Sequence, residues 1–208
     1  MTTILHISAS PRGPKSESLA LATDFLDTYT ATHDNVTVDT LDLWDGSLPT
    51  FGFHGASAKM NVFGGSAPEG DEIPAWAQAR SVYDRFAAAD NYLFSVPMWN
   101  NGVPYVLKQW IDIVTQPGWV FGFTPTDGYT GLVAGKKAAV VYTSGVYGPG
   151  AAPAFGTDYH STFFNEWLRF IGIDDITEIR FQPSILTATP DADRALASDQ
   201  ARDAAKRF

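Results

Sequence analysis

The chain contains five short runs of apolar and β-branched residues, separated by longer segments. The first, third and fourth runs lack a clean alternation of polar and apolar positions, which is typical of strands that are covered on both faces of a parallel sheet. The runs predict strands over residues 3–9, 36–43, 91–97, 136–144 and 178–185.

The segments between these runs carry apolar residues at three- and four-residue spacing, so each predicts a helix that buries one face. A closing helix is predicted over residues 191–207. The alternation of strands and helices predicts an α/β fold, a doubly wound five-stranded parallel sheet with helices on both faces and right-handed crossovers. The apolar stripes are Ala22, Phe25, Leu26 and Tyr29; Trp76, Ala79, Tyr83 and Phe86; Leu107, Trp110, Ile111 and Val114; and Phe163, Phe164, Trp167, Leu168 and Ile171.

Two segments do not fit the alternation of strands and helices. Residues 46–71 are rich in Gly, Ser and Ala and too long for a plain connection, so we expect a flap over the active site or a subunit contact there. Residues 118–135 place aromatic residues among Gly and Thr, which indicates a hairpin insertion. Neither segment has the features of a domain boundary, so residues 1–208 are predicted to form a single domain.

Composition and charge narrow the possible functions. The chain has 208 residues, of which 45% are hydrophobic, and this suits one compact domain with a full core. Its 14 Lys and Arg against 23 Asp and Glu give a net charge of −9, which disfavours nucleic-acid binding. Any phosphate group that the chain binds must therefore be held by local donors.

Several kinds of site are disfavoured by the residue types present. The chain has no Cys, which removes disulfides, thiolate catalysis and cysteine-ligated metals. His6, His33, His54 and His160 show no metal-ligand spacing. We expect no metal, a core position for His6, and for His160 either a structural role or a proton-handling one.

No basic stretch precedes the first predicted strand, and no apolar run approaches the length that a membrane span needs. We therefore expect a soluble, cytoplasmic protein that does not contact a membrane.

The loop after the first predicted strand, residues 8–18, combines several hydroxyls with the start of a helix. Hydroxyls and free N–H groups at a helix N-terminus can cradle a phosphate. The loop has neither the G-x-x-x-x-G-K-[ST] pattern of triphosphate sites nor the G-x-G-x-x-G pattern of dinucleotide sites. The alternative is that Ser16 or Ser18 only caps the helix.

Two further loops follow the third and fourth strands. Residues 97–104 offer an apolar plane and two amides, which suit a flat ring, although an ordinary turn with a core Trp would look the same. Residues 143–150 are rich in Gly, which allows close approach to a ligand or merely a flexible loop. Ligands of open parallel sheets bind beyond the carboxyl ends of strands. The three loops together therefore predict a ligand site at one edge of the sheet: a phosphate cradle in residues 8–18, a ring platform in residues 97–104 and a glycine lip in residues 143–150.

Motifs along nearly the whole chain resemble the FMN-dependent NADH-azoreductase family of flavodoxin-like NAD(P)H:quinone reductases. They occur in the expected order, and the set is more specific than any one of its members. The motifs are Ser10-Pro11-Arg12 with Ser16-Glu17-Ser18, Pro97-Met98-Trp99-Asn100, residues 107–112 (LKQWID), 118–124 (GWVFGFT), 135–138 (GKKA) and 167–173 (WLRFIGI).

The resemblance implies a flavodoxin-like fold with tightly but non-covalently bound FMN. It assigns the FMN phosphate to Ser10, Ser16, the backbone of Glu17, and Ser18. It places Pro97, Met98, Trp99, Asn100 and Asn101 along the ribityl chain and the isoalloxazine ring, and Ser144, Gly145, Val146 and Tyr147 at the pyrimidine end of the ring. It places Phe123 and Trp167 on the substrate side, one of them from the partner subunit of a homodimer with its sites at the interface.

The resemblance also implies ping-pong, two-electron hydride transfer from NADH or NADPH to a quinone or azo compound. The flavin carries this chemistry, so no side chain is predicted to be a catalytic acid or base. Two departures from the family pattern affect the site: Asn101 stands where an aromatic residue is usual, and residues 145–148 replace the usual Arg-Gly-Gly. The alternatives are an NADPH:FMN or chromate-type reductase, a flavodoxin-like electron carrier, and a flavin-free binding protein.

Overall fold

The structure is a computed structural model that describes residues 1–208, and it contains seven strands and six α-helices. The strands are β1 (Thr2–Ser8), β2 (Val36–Asp42), β3 (Asn91–Pro97), β4 (Phe121–Thr124), β5 (Gly128–Gly131), β6 (Lys137–Thr143) and β7 (Asp175–Phe181). The helices are α1 (Glu17–Thr32), α2 (Phe53–Phe63), α3 (Glu72–Ala87), α4 (Tyr105–Val114), α5 (Ser161–Phe170) and α6 (Pro190–Arg207).

Five of the strands form one parallel sheet in the order β2-β1-β3-β6-β7. Ile4 of β1 pairs with both Val38 of β2 and Asn91 of β3, so the winding direction reverses between β1 and β3. This order is that of the flavodoxin-like doubly wound fold, and it confirms the predicted fold class.

Successive residues of a strand point to opposite faces of the sheet. Helices cover both faces, so the residues of the central strands are buried on either side. On one face, Ile4, Leu93 and Ala139 pack with Phe25 of α1 and with the alanines of α6. On the other face, apolar residues such as Leu5, Ile7, Phe94 and Val140 pack with residues of α3, α4 and α5, among them the fully buried Trp110. The continuous apolar runs in the sequence reflect this two-sided burial.

The last sheet strand lies earlier than residues 178–185, where the sequence predicts it. Its pairing with β6 ends at Phe181, opposite Thr143. Pro183 has no N–H group with which to continue a strand ladder, so residues 182–186 form a loop. The predicted strand boundary was therefore wrong by several residues, and this changes which segments reach the site.

The segment 46–71 contains the helix α2, which its Gly, Ser and Ala content did not predict. The helix is stabilised by tertiary contacts: Ser57 Oγ and Asn61 Nδ2 donate to the Glu72 carboxylate at 2.5 and 2.8 Å, and Lys59 Nζ donates to the carbonyl of Thr115 at 2.9 Å. Contacts of this kind override weak helix propensity.

The segment 118–135 contains β4 and β5, which pair as an antiparallel hairpin. Gly131 of this hairpin lies directly against the end of α5. A Cβ atom at Gly131 would lie 2.3 Å from the backbone nitrogen of Gly172, which leaves no room for a side chain. The N–H group of Val133 donates to the carbonyl of Ile171 at 2.8 Å, so this contact fixes the hairpin to the main domain.

We predict that Gly131→Ala lowers the free energy of unfolding by about 2 kcal/mol, because backbone would have to move to admit the methyl group. Gly122→Ala is the matched control, since it lies in the same hairpin with open space around its Cβ position. Urea denaturation followed by circular dichroism measures both variants. Equal stability of the two variants would show that the hairpin does not pack on α5 in this way.

Candidate functional site

The loops that leave β1, β3 and β6 meet at the carboxyl edge of the sheet. Together they line a groove with a volume of about 140 Å³, which we call the edge groove. Its lining residues are Ser10, Arg12, Ser16, Glu17, Pro97, Met98, Trp99, Thr143, Ser144, Gly145, Ser184 and Ile185.

At one end of the edge groove, the first turn of α1 offers free donors. Ser16 caps this helix, its Oγ accepting from the N–H group of Leu19 at 3.3 Å, and it lines the groove as well. The N–H groups of Glu17 and Ser18 make no hydrogen bond within the chain. Because the helix dipole adds a positive field there, this end suits an anion.

Two side chains strengthen this preference for an anion. The hydroxyl of Ser10 is buried and has no hydrogen-bond partner in the chain. A buried hydroxyl without a partner costs free energy, which a ligand oxygen would recover. Arg12 lines the same groove and forms no ion pair with any carboxylate of the chain. A phosphate group fits these donors.

The side chains of Glu17 and Ser18 have partners within the chain. The carboxylate of Glu17 pairs with Arg194 at 2.9 Å, which leaves only its backbone to face a ligand. Ser18 is fully buried, lies outside the groove lining, and its Oγ is 3.1 Å from Ser16 Oγ. The side chain of Ser18 therefore supports Ser16, and its N–H group is the part that is free.

The loop after β3 holds Trp99 at the groove by a tight two-residue turn. Trp99 and Gly102 exchange backbone hydrogen bonds of 2.8 and 2.9 Å. The two central residues, Asn100 and Asn101, have φ angles of 48° and 66°. Asn tolerates this left-handed region better than most residues, so the turn suits Asn101, the residue that departs from the family pattern. Trp99 stays 36% exposed and packs against Trp44 at 5.5 Å.

The glycine lip after β6 contacts the segment that follows β7. A Cβ atom at Gly145 would lie 3.0 Å from Ile185 Cδ1, and one at Gly148 would lie 2.8 Å from Pro183 Cδ. These glycines therefore allow close approach of another part of the chain. Ser144 and Gly145 line the edge groove, whereas Val146 and Tyr147 do not.

A second and larger groove of about 710 Å³ adjoins the first and shares Trp99 with it. We call it the aromatic groove, because Phe51, Trp99, Tyr105, Tyr159 and Phe163 line it. Asn100 lines it as well, together with Gly102, Val103, Gln109 and the ion pair of Lys108 with Asp112 at 2.7 Å. Asn101 lines neither groove.

Phe123 and Trp167 lie apart from both grooves. Phe123 is 45% exposed on the hairpin, where its ring packs against Phe63 at 5.6 Å in a cleft that shares no residue with the edge groove. Trp167 is buried in the core, with its indole N–H donating to Thr115 Oγ1 at 3.0 Å. The helical periodicity of α5 already favours this core position for Trp167.

The buried histidines bring no positive charge to the site. Burial lowers the pKa of His6 to about 4, and its Nε2 lies 2.7 Å from Ser95 Oγ. Burial also lowers the pKa of His160 to about 4, where its ring packs edge-on against Tyr142 at 4.8 Å. Both are neutral at neutral pH, so the favourable charges for an anion in the edge groove are those of the α1 N-terminus and Arg12.

Four groove residues are missing from the set that the sequence predicts: Arg12, Thr143, Ser184 and Ile185. Arg12 and Thr143 fall within loops that the sequence identified, and the charge of Arg12 was the available signal. Ser184 and Ile185 were hidden inside the strand predicted over residues 178–185. Pro183 was the signal that a loop, and so another approach to the site, begins there.

The combined arrangement suits a ligand with a phosphate at one end and a flat ring at the other. Anion donors lie at α1, and apolar surface lies at Met98 and Trp99, beside the aromatic groove. No group of three or more His, Cys, Asp or Glu side chains is arranged to hold a metal ion. None of the six helices has the length and apolarity that a membrane crossing requires.

Comparison with known proteins places this arrangement in a family. The model of the flavodoxin-like fold family matches residues 2–207. An FMN-dependent NADH:quinone oxidoreductase of Ruegeria pomeroyi is 48% identical over 95% of the chain and 98% of the relative. Another of that name from Desulfotalea psychrophila is 40% identical over 95% of the chain and 92% of the relative.

A solved structure agrees with these sequence relatives. The crystal structure of an azoreductase from Bacillus anthracis superposes with a TM-score of 0.90 at 26% identity, covering 100% of both chains. These similarities confirm the family that the motifs indicated. The chain belongs to the flavodoxin-like family of FMN-dependent NADH:quinone oxidoreductases.

Proposed function

We propose that this protein is an FMN-dependent oxidoreductase that uses NADH, or NADPH, to reduce quinones and azo compounds. The observation that carries the proposal is the edge groove, which brings the unpartnered hydroxyl of Ser10 to the first turn of α1, where the N–H groups of Glu17 and Ser18 are free. The names of the relatives agree with this chemistry, and their similarity extends over the whole site.

The donors at α1 and the apolar surface at Met98 and Trp99 match the two ends of FMN, its phosphate and its flat ring. We assign its phosphate to Ser10, Ser16, the backbone of residues 17–18 and the guanidinium of Arg12. The flat ring would lie along Pro97, Met98 and Trp99, with the lip formed by residues 144–147 at its far side. When bound, FMN supplies the acceptance and donation of hydride.

The protein's own contribution is binding and orientation. Trp99 belongs to both grooves, so a ring beside it in the edge groove borders the aromatic groove directly. Tyr105 and Phe163 offer further aromatic surface for a flat second substrate. A single stacking position of this kind suits a ping-pong reaction, in which nicotinamide leaves before the quinone or azo compound enters.

We also propose a homodimer with its sites at the interface. Aromatic side chains remain exposed around the aromatic groove, with Tyr105 and Tyr159 each 65% exposed. Exposed apolar patches of this kind mark interaction surfaces. Phe123 is exposed and does not reach the edge groove of its own chain. In a dimer, Phe123 would approach the substrate side of the other protomer's site, whereas Trp167 stays in the core.

The redox reaction is tested by adding FMN to the purified protein and recording its visible spectrum without oxygen. NADH should bleach the flavin band, and a quinone or an azo dye should restore it. A protein that retains no FMN would contradict the proposal. Bleaching that neither acceptor reverses would instead indicate an electron carrier with a protein partner.

The dimer is tested by light scattering and by Phe123→Ala. Light scattering should give twice the chain mass of 22.6 kDa. Phe123→Ala should raise the KM for the quinone roughly three- to tenfold, because an aromatic contact is lost, and should leave FMN binding unchanged. Phe53→Ala is the control, because Phe53 is 81% exposed and lines none of the grooves described here. A monomer, or an unchanged KM for Phe123→Ala, would overturn this assignment.

A further inference from the structure

The segment after β7 forms an additional wall of the edge groove. The N–H group of Ser184 donates to the carbonyl of Ser144 at 2.8 Å, and those of Ile185 and Leu186 donate to the carbonyl of Gly145 at 2.9 and 3.0 Å. Ser184 and Ile185 line the groove, whereas Leu186 does not. Three backbone hydrogen bonds therefore fix this wall to the lip.

The wall leads to the face of the sheet that α1 and α6 cover, where the predicted phosphate donors begin. Residues 182–189 lead into α6, and α6 packs against α1 on the same face, where Arg194 pairs with Glu17 at 2.9 Å. This places the segment beside the free N-terminus of α1. The hydroxyl of Ser184 makes no hydrogen bond within the chain, although it lies in the groove.

We propose that residues 184–185 are a fourth cofactor-binding loop, in which Ser184 Oγ donates to the FMN phosphate and Ile185 closes the groove over the adjoining ribityl chain. The inference rests on the proposed function, because it assigns further contacts to the same cofactor.

The charge of the protein explains the need for such a donor. With a net charge of −9, the chain holds a phosphate best through neutral hydroxyls and N–H groups close to it, and Arg12 is the single cation in the groove lining. Ser184 adds a neutral donor to the groove that Ser10 also lines.

The position of Ile185 at the rim of the edge groove also supports the proposal. It is 77% exposed, yet its Cδ1 atom lies close to the position where a side chain on Gly145 would begin. Such an exposed apolar side chain at the rim of a groove gains burial when a ligand fills the groove. Gly145, which replaces part of the usual family lip, leaves room for the Ile185 side chain.

The test uses the whole protein, freed of flavin, with FMN binding followed by flavin fluorescence. Ser184→Ala should weaken FMN binding about tenfold, as expected for loss of a hydrogen bond to a charged group. Ser184→Thr, which keeps the hydroxyl, should stay within about threefold of the wild type. Ile185→Ala should release FMN several-fold faster, whereas Leu186→Ala, which changes a neighbour outside the groove, should not.

Riboflavin, which has no phosphate, separates the two contacts. Its affinity should be unaffected by Ser184→Ala and lowered by Ile185→Ala. Wild-type FMN affinity in Ser184→Ala, or equal effects of Ile185→Ala and Leu186→Ala, would overturn the inference while leaving the proposed function intact. A wild-type protein that fails to bind FMN would overturn both.

Discussion

Parallel pairing of β1 with β3, and of β3 with β6, is the constraint on which the site depends. Because these strands run in the same direction, their carboxyl ends lie at one edge of the sheet, and the loops that follow them meet there. The hydrogen bond from the Met98 N–H group to the Thr143 carbonyl, at 2.7 Å, extends this pairing into the loops themselves. The ring platform and the lip are therefore held in register by the same interaction that builds the core.

The negative charge of the chain determines which kind of group can hold a phosphate. A protein with a net charge of −9 repels a dianion at long range, so the free energy of binding must come from short-range donors in a partly dehydrated groove. The unpartnered hydroxyl of Ser10 and the helix start at Glu17 meet this requirement without adding charge. The groove then opens at Trp99 toward the larger aromatic groove, which links cofactor binding to access by a second flat molecule.

The sequence predicted the fold because β1, β3 and β6 are covered on both faces and therefore form nearly continuous apolar runs. It also located the three loops, since the positions of strands in a parallel sheet determine where loops meet. It did not predict α2, whose stability depends on contacts with Glu72 and Thr115, or the true end of β7, where Pro183 interrupts an apolar run. For Trp167, the helical stripe predicted a core position and the family resemblance implied a substrate role. The structure buries it in the core of its own chain.

A crystal structure of the protein with FMN tests the central claim most directly, since that claim is geometric. It predicts phosphate oxygens within about 3.2 Å of Ser10 Oγ and of the Glu17 N–H nitrogen, with the isoalloxazine ring beside Trp99. FMN density confined to the aromatic groove, with Ser10 still without a partner, would contradict the account.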